Sequence, residues 1–594
     1  MQSEIMILNE LLNDNRLSEA QSLAQKKLIK YPEDNNLKEV YGLILNRSGA
    51  TKKALELITP LYAASNPSSS IYGLMGRIHK NIWKNSRDKK QAEKSAKVYE
   101  EGFNKYKSPY LGINAASMYL VCSNKELCAS IAKEVVNICL KEEPTYWNAV
   151  TLSEAFILLE NFDNSVHYAK SAINEHSSNI GNINSTFQQI KMLKRYIKVP
   201  NELIDLFSPP GIVAFSSQMI NNQSESIFPK KIESEIKNRI TKELEAINAQ
   251  IGYSSAACGS DILFIETMLE RNSEIHIILP FAKDDFIKTS VEFGGKEWLN
   301  RFEYVLEKAS SVHYATEQSY FGEEHLFEYA ENLIQGQSLL KADLFQTQPY
   351  FLGVFSEEAS DQKTKGSRHF LNQFSSHENA IIIETTKLIN SLEIKKTNKS
   401  NANFTHNDFP AGMIRDVKSI LFADVVGFSK MEEQQKPYFL NEFMNMLNQG
   451  IQNLGFTPEV LNTWGDAIFF VGKNNKQAAD FAFMLNDMVL NTNWEEKNLP
   501  NNLNIRIALH SGPIFIGNDP VLKRPNAYGE HVNRTARMEP ITIPGQVYAS
   551  DQFAANLKLE TQNQYKYEFV GNLKLPKAFG DQELYHLNKK AVIN

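Results

Sequence analysis

Two short stretches near the C-terminus each place one aspartate beside a glycine at the end of an apolar run. Asp424 lies in FADVVGFS (residues 422–429), and Asp466 lies in NTWGDA (residues 462–467). Two carboxylates at neighbouring strand ends can hold a pair of divalent cations, and such a pair drives phosphoryl transfer. The pattern predicts a metal-dependent phosphoryl-transfer site.

A third stretch, GEHVNRTAR (residues 529–537), supplies an amide and a guanidinium. Asn533 and Arg537 are four residues apart, so they share one face of a helix. Phosphoryl transfer needs such groups to stabilise transition-state charge and to position the ribose. The sequence adds further candidate phosphate-binding residues, namely Arg506, Lys577 and the backbone of Phe428 and Ser429. Together these residues predict a nucleotide active site.

The elements around these residues form a compact α/β pattern between residues 416 and 586. The apolar periodicity predicts strand-helix-strand-strand-helix-strand, which is the ferredoxin-like order. The expected segments are a strand at 419–423, a helix at 435–454, hairpin strands at 460–463 and 467–471, a helix at 476–490 and a strand at 505–516. This topology brings the end of the first strand beside the hairpin tip, so Asp424 and Asp466 converge.

These motifs resemble the catalytic domain of class III nucleotide cyclases, the adenylate and guanylate cyclase family. The resemblance rests on Asp-x-x-Gly-Phe-Ser, the Gly-Asp hairpin, Arg-x-x-x-His-x-Gly and Val-Asn-x-x-Ala-Arg. It implies an attack of the ribose 3′-hydroxyl on the α-phosphate, which yields a 3′,5′-cyclic nucleotide and pyrophosphate. It also implies the following roles: two Mg²⁺ or Mn²⁺ ions at Asp424, Val425 and Asp466, ribose orientation by Asn533, transition-state stabilisation by Arg537, and triphosphate binding by Phe428, Ser429, Arg506 and Lys577.

The same resemblance implies a homodimer formed through this domain. In the family, the metal ligands come from one subunit, and the asparagine, the arginine and the lysine come from its partner. A monomer is therefore expected to be inactive.

The expected base-reading positions depart from the family pattern. Asn462 and Asn526 stand where adenylate cyclases carry a lysine and an aspartate or threonine, and the usual guanylate pair is absent as well. An asparagine side chain carries both a donor and an acceptor. ATP is the favoured substrate, a pyrimidine triphosphate (as in cyclases of antiviral signalling) is an alternative, and GTP is the third. Trp464 is either a base-packing residue or part of the core.

The first two hundred residues are predicted to be helical repeats. Pro32, Pro67, Pro109 and Pro144 are 35, 42 and 35 residues apart, with an insertion around residues 83–90 in the middle unit. The interval resembles the repeat of about 34 residues in degenerate tetratricopeptide repeats. Such stacks leave a concave face, so we expect a protein partner there. A helical domain without a ligand is the alternative.

Strands and helices alternate after residue 210, which predicts a doubly wound parallel sheet. Glycine and polar residues at Gly259-Ser260-Asp261 precede a helix, where an anion would be favoured. This region resembles Rossmann-like nucleotide-sensing modules of the lysine-decarboxylase-like kind, which implies a small-molecule ligand; a structural spacer is the alternative. The expected strands are 212–215, 275–279, 312–314, 350–355 and 380–384, and the expected helices are 231–249, 262–271 and 368–374.

The whole chain has 594 residues and a formal net charge of −6, and 42% of its residues are apolar. The expected organisation is a helical repeat domain at 1–208, a Rossmann-like domain at 209–392, a linker at 393–414 and a cyclase domain at 415–594. No basic excess, signal peptide or long apolar run indicates nucleic-acid or membrane binding. The four cysteines fit a reduced chain, so a cytoplasmic protein is expected. An inactive scaffold with a pseudo-cyclase domain is the alternative function.

Overall fold

The structure is a computed structural model of the chain, and it describes residues 5–8, 20, 23–24, 27–28, 30–47, 51–175, 180–217, 230–345, 347–355, 378–385, 409, 412–561 and 564–590. The chain forms two compact units, Met1–Pro209 and Pro210–Asn594. Among the described residues, no helix is both long and apolar enough to cross a membrane. The four cysteines are free thiols.

The first unit consists of helices in consecutive pairs, as predicted. The helices with described bounds are α1 (Asn35–Arg47), α2 (Thr51–Tyr62), α3 (Ser69–Ser86), α4 (Lys89–Tyr106), α5 (Pro109–Val121), α6 (Lys125–Cys139), α7 (Tyr146–Leu158), α8 (Phe162–Glu175), α9 (Ile180–Leu193) and α10 (Asn201–Leu206). Pro109 occupies the first turn of α5, where a backbone N–H would have no intrahelical hydrogen-bond partner, so proline loses no bond there. The predicted insertion is absorbed by α3 and α4, which are 18 residues each.

The second unit begins with a six-stranded sheet in the order β4-β3-β2-β1-β5-β6, and all of its strand pairs are parallel. Its elements are β1 (Gly211–Ser217), α11 (Lys230–Ala246), β2 (Ala249–Ser254), α12 (Ser260–Glu270), β3 (Glu274–Leu279), α13 (Lys283–Ser290), α14 (Lys296–Lys308), β4 (Ser311–Tyr314), α15 (His325–Leu344), β5 (Tyr350–Phe355) and β6 (Ala380–Glu384). The predicted doubly wound parallel sheet is therefore present.

Two details of that region differ from expectation. The helix predicted to reach residue 249 ends at Ala246, because Asn248 takes a left-handed conformation and Ala249 opens β2. The helices α13, α14 and α15 were not predicted. The predicted helix at 368–374 and most of the predicted linker lie outside the described residues. The domain boundaries and the likeness to nucleotide-sensing modules stay predictions.

The rest of the unit is built on an eight-stranded sheet in the order β13-β14-β12-β10-β7-β9-β8, with β11 paired to β10. Its elements are β7 (Ile414–Val426), α16 (Met444–Asn453), β8 (Val460–Trp464), β9 (Ala467–Gly472), α17 (Asn475–Asn491), β10 (Asn504–Asp519), β11 (Arg524–Tyr528), α18 (Glu530–Met538), β12 (Val547–Ser550), α19 (Asp551–Thr561), β13 (Tyr565–Lys574) and β14 (Asp581–Lys589). The predicted strand and helix order is confirmed. A π-helix at Phe439–Phe443 precedes α16.

Alternation along the strands decides which face of this sheet carries chemistry. On β7, Leu421, Ala423 and Val425 belong to the core beneath α16 and α17, as do Ile505 and Ile507 of β10. Successive side chains of a strand point to opposite faces. Asp424 and Arg506 therefore lie on the face away from α16 and α17. Met538, at the end of α18, packs on that same face against Ala508.

The two sheets of this unit are joined by a packed interface between α15 and α19. A Cβ on Gly336 would lie only 2.3 Å from the carbonyl oxygen of Ala555, so the two helices approach closely. The Tyr329 hydroxyl donates to the Ser511 carbonyl over 2.9 Å, and both residues are buried. Arg415 forms a buried 2.9 Å ion pair with Glu323. The parallel-sheet region and the eight-stranded region therefore pack as one body.

Candidate active site

Asp424 and Asp466 are brought together by the β7–β9 pairing. Asp424 is the register partner of Ala467, and the Val425 amide donates to the Asp466 carbonyl over 3.2 Å. Burial raises the pKa of Asp466, and the charge of Asp424 raises it further. The predicted convergence of the two carboxylates is therefore observed.

Arg506 lies against this carboxylate pair. It is the register partner of Asp424 on β10, and its Nη2 donates to Asp424 Oδ2 over 2.6 Å. Its Nε is 2.7 Å from Glu539 Oε1, which is an ion-pair distance without hydrogen-bond alignment. In this structure the guanidinium thus neutralises acidic residues, and its predicted contact with a triphosphate stays a prediction.

Glu539 is a residue of this site that the sequence analysis did not identify. It follows Arg537 by two positions, and burial raises its pKa to about 7. The charges of Asp424 and Asp466 raise that pKa as well, so three carboxyl groups share one neighbourhood. Because Glu539 lies just after the Val-Asn-x-x-Ala-Arg motif, its position in the sequence could have identified it as a candidate site residue.

Asn533 and Arg537 lie on α18, as predicted from their spacing. Asn533 is exposed, and no described residue forms a hydrogen bond with its side chain. The Arg537 guanidinium lies 5.9 Å from the centre of the Phe579 ring, and its buried Nε has no hydrogen-bond partner among the described residues. Both side chains are available to a group from outside this chain.

Lys577 lies two residues before Phe579, in the turn between β13 and β14. It is exposed and takes a left-handed conformation, with φ of 59°. Because Phe579 contacts Arg537, this turn and α18 present Lys577 and Arg537 on one side of the domain. Binding of a triphosphate by Lys577 stays a prediction.

The loop after Asp424 turns at Gly427, whose φ of 103° suits a residue without a side chain. A short 3₁₀ turn, Phe428–Lys430, follows. The Phe428 ring packs 4.8 Å from that of Phe439 and so anchors the loop to the core. Ser429 is exposed. The first N–H groups of a helical turn lack intrahelical partners, which leaves those of Phe428 and Ser429 able to face an anion.

The two candidate base-reading residues contact each other. Asn462 Nδ2 donates to Asn526 Oδ1 over 3.2 Å, and Asn526 Nδ2 donates to Asp519 Oδ2 over 3.2 Å. A carboxylate can only accept, so Asp519 fixes the orientation of both amides. Asn462 is 1% exposed, and its Oδ1 has no partner among the described residues. The pair therefore presents a hydrogen-bond acceptor.

Asp519 is itself held in place. The amides of Leu522 and Val521 donate to its Oδ1, and these bonds, with one from Asn526, lower its pKa to about 2. Trp464 is half exposed and stacks 6.0 Å from the Phe469 ring, so it is not core. A role in packing a base stays a prediction.

A buried histidine pair connects α18 to the parallel-sheet region. His510 Nε2 and His531 Nδ1 are 2.8 Å apart, and His531 Nε2 is 3.1 Å from the Thr316 hydroxyl. Burial lowers the pKa of His531 to about 3 and holds that of His510 well below its ordinary value. Both rings are therefore neutral at pH 7. The helix that carries Asn533 thus rests directly on residues of the neighbouring domain.

The donor set at Asp424 and Asp466 fits Mg²⁺ or Mn²⁺. Both side chains offer hard oxygen donors, which these ions prefer. Within the described ranges, no group of three or more acidic, histidine or cysteine side chains is arranged as a complete metal cage. Magnesium sites that act on phosphates commonly use one or two carboxylates plus substrate oxygens. Two carboxylates that repel each other therefore suit a site completed by substrate.

Two family models match this chain. Residues 413–589 match the Adenylate and Guanylate cyclase catalytic domain, and residues 16–119 match TPR-S, the Tetratricopeptide Repeats-Sensor family. The predicted class III nucleotidyl cyclase catalytic domain and the predicted tetratricopeptide-like region are confirmed. The chain therefore carries a cyclase-class catalytic domain behind a helical repeat region.

Curated relatives share the catalytic region. Guanylate cyclase 2G of Rattus norvegicus is 29% identical over 153 residues, which is 23% of this chain and 14% of the relative. Retinal guanylyl cyclase 2 of Bos taurus is 24% identical over 271 residues, which is 41% of this chain and 24% of the relative. The chain thus spans less than a quarter of the length of either relative.

Solved structures of cyclase domains are also similar. The adenylyl cyclase CyaB from P. aeruginosa is 18% identical and has a TM-score of 0.27, with 30% of this chain and 96% of that chain covered. The guanylate cyclase domain of RhGC from Catenaria anguillulae, in complex with GTP, is 20% identical and has a TM-score of 0.26, with 30% and 99% covered.

Proposed function

We propose that the chain is a nucleoside triphosphate cyclase that forms a 3′,5′-cyclic nucleotide and pyrophosphate. The observation that carries this proposal is the closeness of Asp424, on β7, to Asp466, at the tip of the β8–β9 hairpin, with Arg506 and Glu539 against them. Asp424, Asp466 and the Val425 carbonyl would hold two Mg²⁺ or Mn²⁺ ions. When bound, such ions activate an attacking hydroxyl and neutralise developing phosphate charge.

The remaining residues of the site bind and orient the nucleotide. Asn533 hydrogen-bonds the ribose and places its 3′-hydroxyl in line with the α-phosphate. Arg537, whose guanidinium has an unsatisfied Nε, stabilises the charge that develops on the α-phosphate. Lys577, Arg506 and the amides of Phe428 and Ser429 bind the triphosphate. Positioning and electrostatic stabilisation supply most of the catalysis in phosphoryl transfer.

ATP is the substrate that we propose. Asn462 Oδ1 is a buried acceptor whose orientation is fixed through Asn526 and Asp519. The amino group of adenine can donate to it, whereas the carbonyl at the equivalent position of guanine or uracil would face it with a second acceptor. Cytosine shares the amino group of adenine. CTP is therefore the closest competitor, and GTP and UTP follow.

We propose that the active unit is a homodimer. Asn533 is exposed and Arg537 is partly exposed, and neither side chain has a hydrogen-bond partner in the described part of this chain, whereas Asp424 is paired with Arg506. A second copy can bring its metal-binding carboxylates to these two residues. Each dimer would then contain two composite sites.

We further propose that the parallel-sheet domain regulates this dimer in response to a small ligand in the cytoplasm. Glu331 on α15 and Asp261 at the start of α12 lie at the carboxyl edge of the sheet, where Ser216 and Ser217 donate to them. The hydroxyls of Ser254 and Ser260 nearby are buried and have no partner among the described residues. Buried polar groups normally have partners, so these can serve a ligand. The α15 helix also packs on α19 of the cyclase domain.

The deciding experiment is product analysis by mass spectrometry. Purified protein is incubated separately with ATP, CTP, GTP and UTP and either Mn²⁺ or Mg²⁺, and the Asp424→Ala variant serves as the control. One dominant cyclic product that is lost in the variant supports the proposal and names the base. Absence of product with all four nucleotides, together with no metal-dependent thermal stabilisation by them, would leave the scaffold alternative.

A further inference from the structure

Polar side chains cross the inner face of the helical repeat unit. The first helices of its pairs line this face, and Asn81 of α3 donates to Asn46 of α1 over 3.2 Å. Lys80 Nζ of α3 donates to Asn114 of α5 and to Gln189 of α9, over 3.0 Å in each case. Because Lys80 and Gln189 are 109 residues apart, the stack must curve until α9 faces α3. The inner face is therefore concave, and the part of it between α3 and α9 is called the groove below.

The wall of this groove on α3 is basic. Arg77, Lys80 and Lys84 are spaced by three and four residues, so they follow one face of the helix. Arg77 Nη2 donates to the Tyr110 hydroxyl of α5 over 3.0 Å. Burial, followed by the charges of Arg77 and Arg195, lowers the pKa of Lys84. Arg77, Lys84 and Arg195 therefore lie close enough for their charges to interact.

One buried acidic residue, Glu154, partly compensates this cluster. Glu154 of α7 is 7% exposed and hydrogen-bonds to Gln189, and burial raises its pKa. Burial also lowers the pKa of Lys80 to about 7, and the charge of Glu154 opposes this shift. Among the described residues, no carboxylate lies within ion-pair distance of Arg77, Lys80, Lys84 or Arg195. Like charges repel more strongly where water is partly excluded, so the groove favours an anion.

We propose that this groove binds a small ligand carrying two or more phosphate groups, held by Arg77, Lys84 and Arg195, while Lys80 keeps its bonds to Asn114 and Gln189. Arginine contacts phosphate oxygens through two parallel hydrogen bonds, and lysine contacts them as a point charge. The Tyr110 ring is 42% exposed beside Arg77 and offers an aromatic face to a nucleoside ring.

The geometry favours a small molecule over the protein partner expected for such a face. The Lys80–Gln189 hydrogen bond joins α3 to α9 across the inner face, so a helix of 10–12 Å diameter could not lie between them at this point without breaking it. A small polyphosphate would need only to reach Arg77 and Lys84, which lie about one helical turn on either side of Lys80. A nucleotide and an inorganic polyphosphate share this chemistry.

Isothermal titration calorimetry on the full chain tests this proposal. The chain carries Arg537→Ala and is kept in metal-free buffer, so that the catalytic site binds nucleotide weakly. Inorganic tripolyphosphate and ATP are titrated separately, and the difference between them shows whether a nucleoside contributes. Lys84→Met is the main variant because the Lys84 side chain reaches solvent, although neighbouring groups crowd its ammonium, and no described residue forms a hydrogen bond with it. Lys133→Met, at an exposed position of α6, is the matched control.

We expect both probes to bind, Lys84→Met to weaken binding by at least about tenfold, and Lys84→Arg to restore most of it. Lys133→Met should change the affinity by less than about twofold. The proposal is overturned if neither probe binds, if Lys84→Met and Lys133→Met bind alike, or if an acidic peptide binds the groove while both phosphates fail. Arg77→Met provides a second variant, with circular dichroism as the folding check.

Discussion

Arg506 and Asp424 are register partners on β10 and β7, and their side chains form a 2.6 Å ion pair. One of the carboxylates assigned to metal binding is therefore already neutralised by its own chain. The same guanidinium approaches Glu539, whose pKa is raised to about 7 by burial. A divalent cation at Asp424 and Asp466 has to compete with Arg506 for this negative charge.

Replacement of Arg506 by methionine should separate metal binding from catalysis. Removal of the guanidinium leaves Asp424, Asp466 and Glu539 without a cation, so Mn²⁺ should bind at least about tenfold more tightly. Turnover should fall by about 10²-fold or more, because a phosphate contact is also lost. Calorimetry with Mn²⁺ alone gives the first quantity and product formation gives the second. Unchanged Mn²⁺ affinity would contradict the placement of the metal site.

Mixed dimers should show whether the active site is shared. Asp424→Ala and Arg537→Ala homodimers should each be inactive, since every composite site lacks one group. Heterodimers of the two variants retain one intact site, so they should recover about one half of the wild-type activity per dimer. Co-expression with two affinity tags and sequential purification isolates them. Inactive heterodimers of confirmed composition would count against shared sites.

Base selectivity should depend on Asp519, which does not itself face the base. Asp519→Asn removes the carboxylate that fixes the Asn526 amide, so the side-chain amides of Asn462 and Asn526 can both rotate by 180° and exchange donor and acceptor. The preference for ATP over GTP should therefore become smaller. Asn462→Lys with Asn526→Asp should raise the preference for ATP. Asn526→Asp places a carboxylate where an amide now lies 3.2 Å from Asp519, and the two negative charges would repel each other. This substitution should therefore be tolerated best together with Asp519→Asn. The ratio of cyclic products from equimolar nucleotides measures each effect.

The buried pair of His510 and His531 should make the protein sensitive to acid. The folded-state pKa of His531 is about 3, below the unfolded value near 6.5, so the unfolded chain binds more protons between these two values. Stability should therefore fall as the pH drops below about 6.5, by up to about 1.4 kcal/mol per pH unit for this residue. A His531→Asn variant should be less stable at pH 7.5 and should show a shallower slope.

The pH dependence of stability has to be compared between the wild type and His531→Asn, because other groups make the protein more stable as the pH falls. Burial raises the pKa of Glu331 to about 8, so protonation of this carboxyl favours the folded state as the pH falls from about 8 toward 4.5. Chemical denaturation at pH 7.5, 6.5 and 5.5 gives the free energies of unfolding. Parallel slopes for the wild type and His531→Asn would contradict the neutral buried pair.

The interface between α15 and α19 should tolerate no side chain at Gly336. A Cβ there would approach the Ala555 carbonyl oxygen to 2.3 Å, so Gly336→Val should force the helices apart and destabilise the protein by about 2 kcal/mol or more. Unfolding of the two domains of this unit should then separate into two calorimetric transitions. Glu328→Ala, on the same helix, serves as the control and should preserve the single transition.

Local patterns in the sequence determined much of the catalytic domain. Asp424 and Asp466 sit at strand ends whose apolar runs set both the strands and their order, and the ferredoxin-like order then requires the two ends to meet. The spacing of Asn533 and Arg537 places them on one helix face in any α-helix. These features depend on residues close together in the chain, so periodicity and turn chemistry suffice to predict them.

Only the tertiary structure decided the relationships between distant segments. The ion pair of Arg506 with Asp424 depends on the register of β10 against β7, and the fixed amides of Asn462 and Asn526 depend on Asp519 across a hairpin. The Lys80–Gln189 bond depends on the curvature of the whole helical stack. Each relationship joins groups whose local sequence carries no information about the other, because strand register and helix packing are set by the complete core.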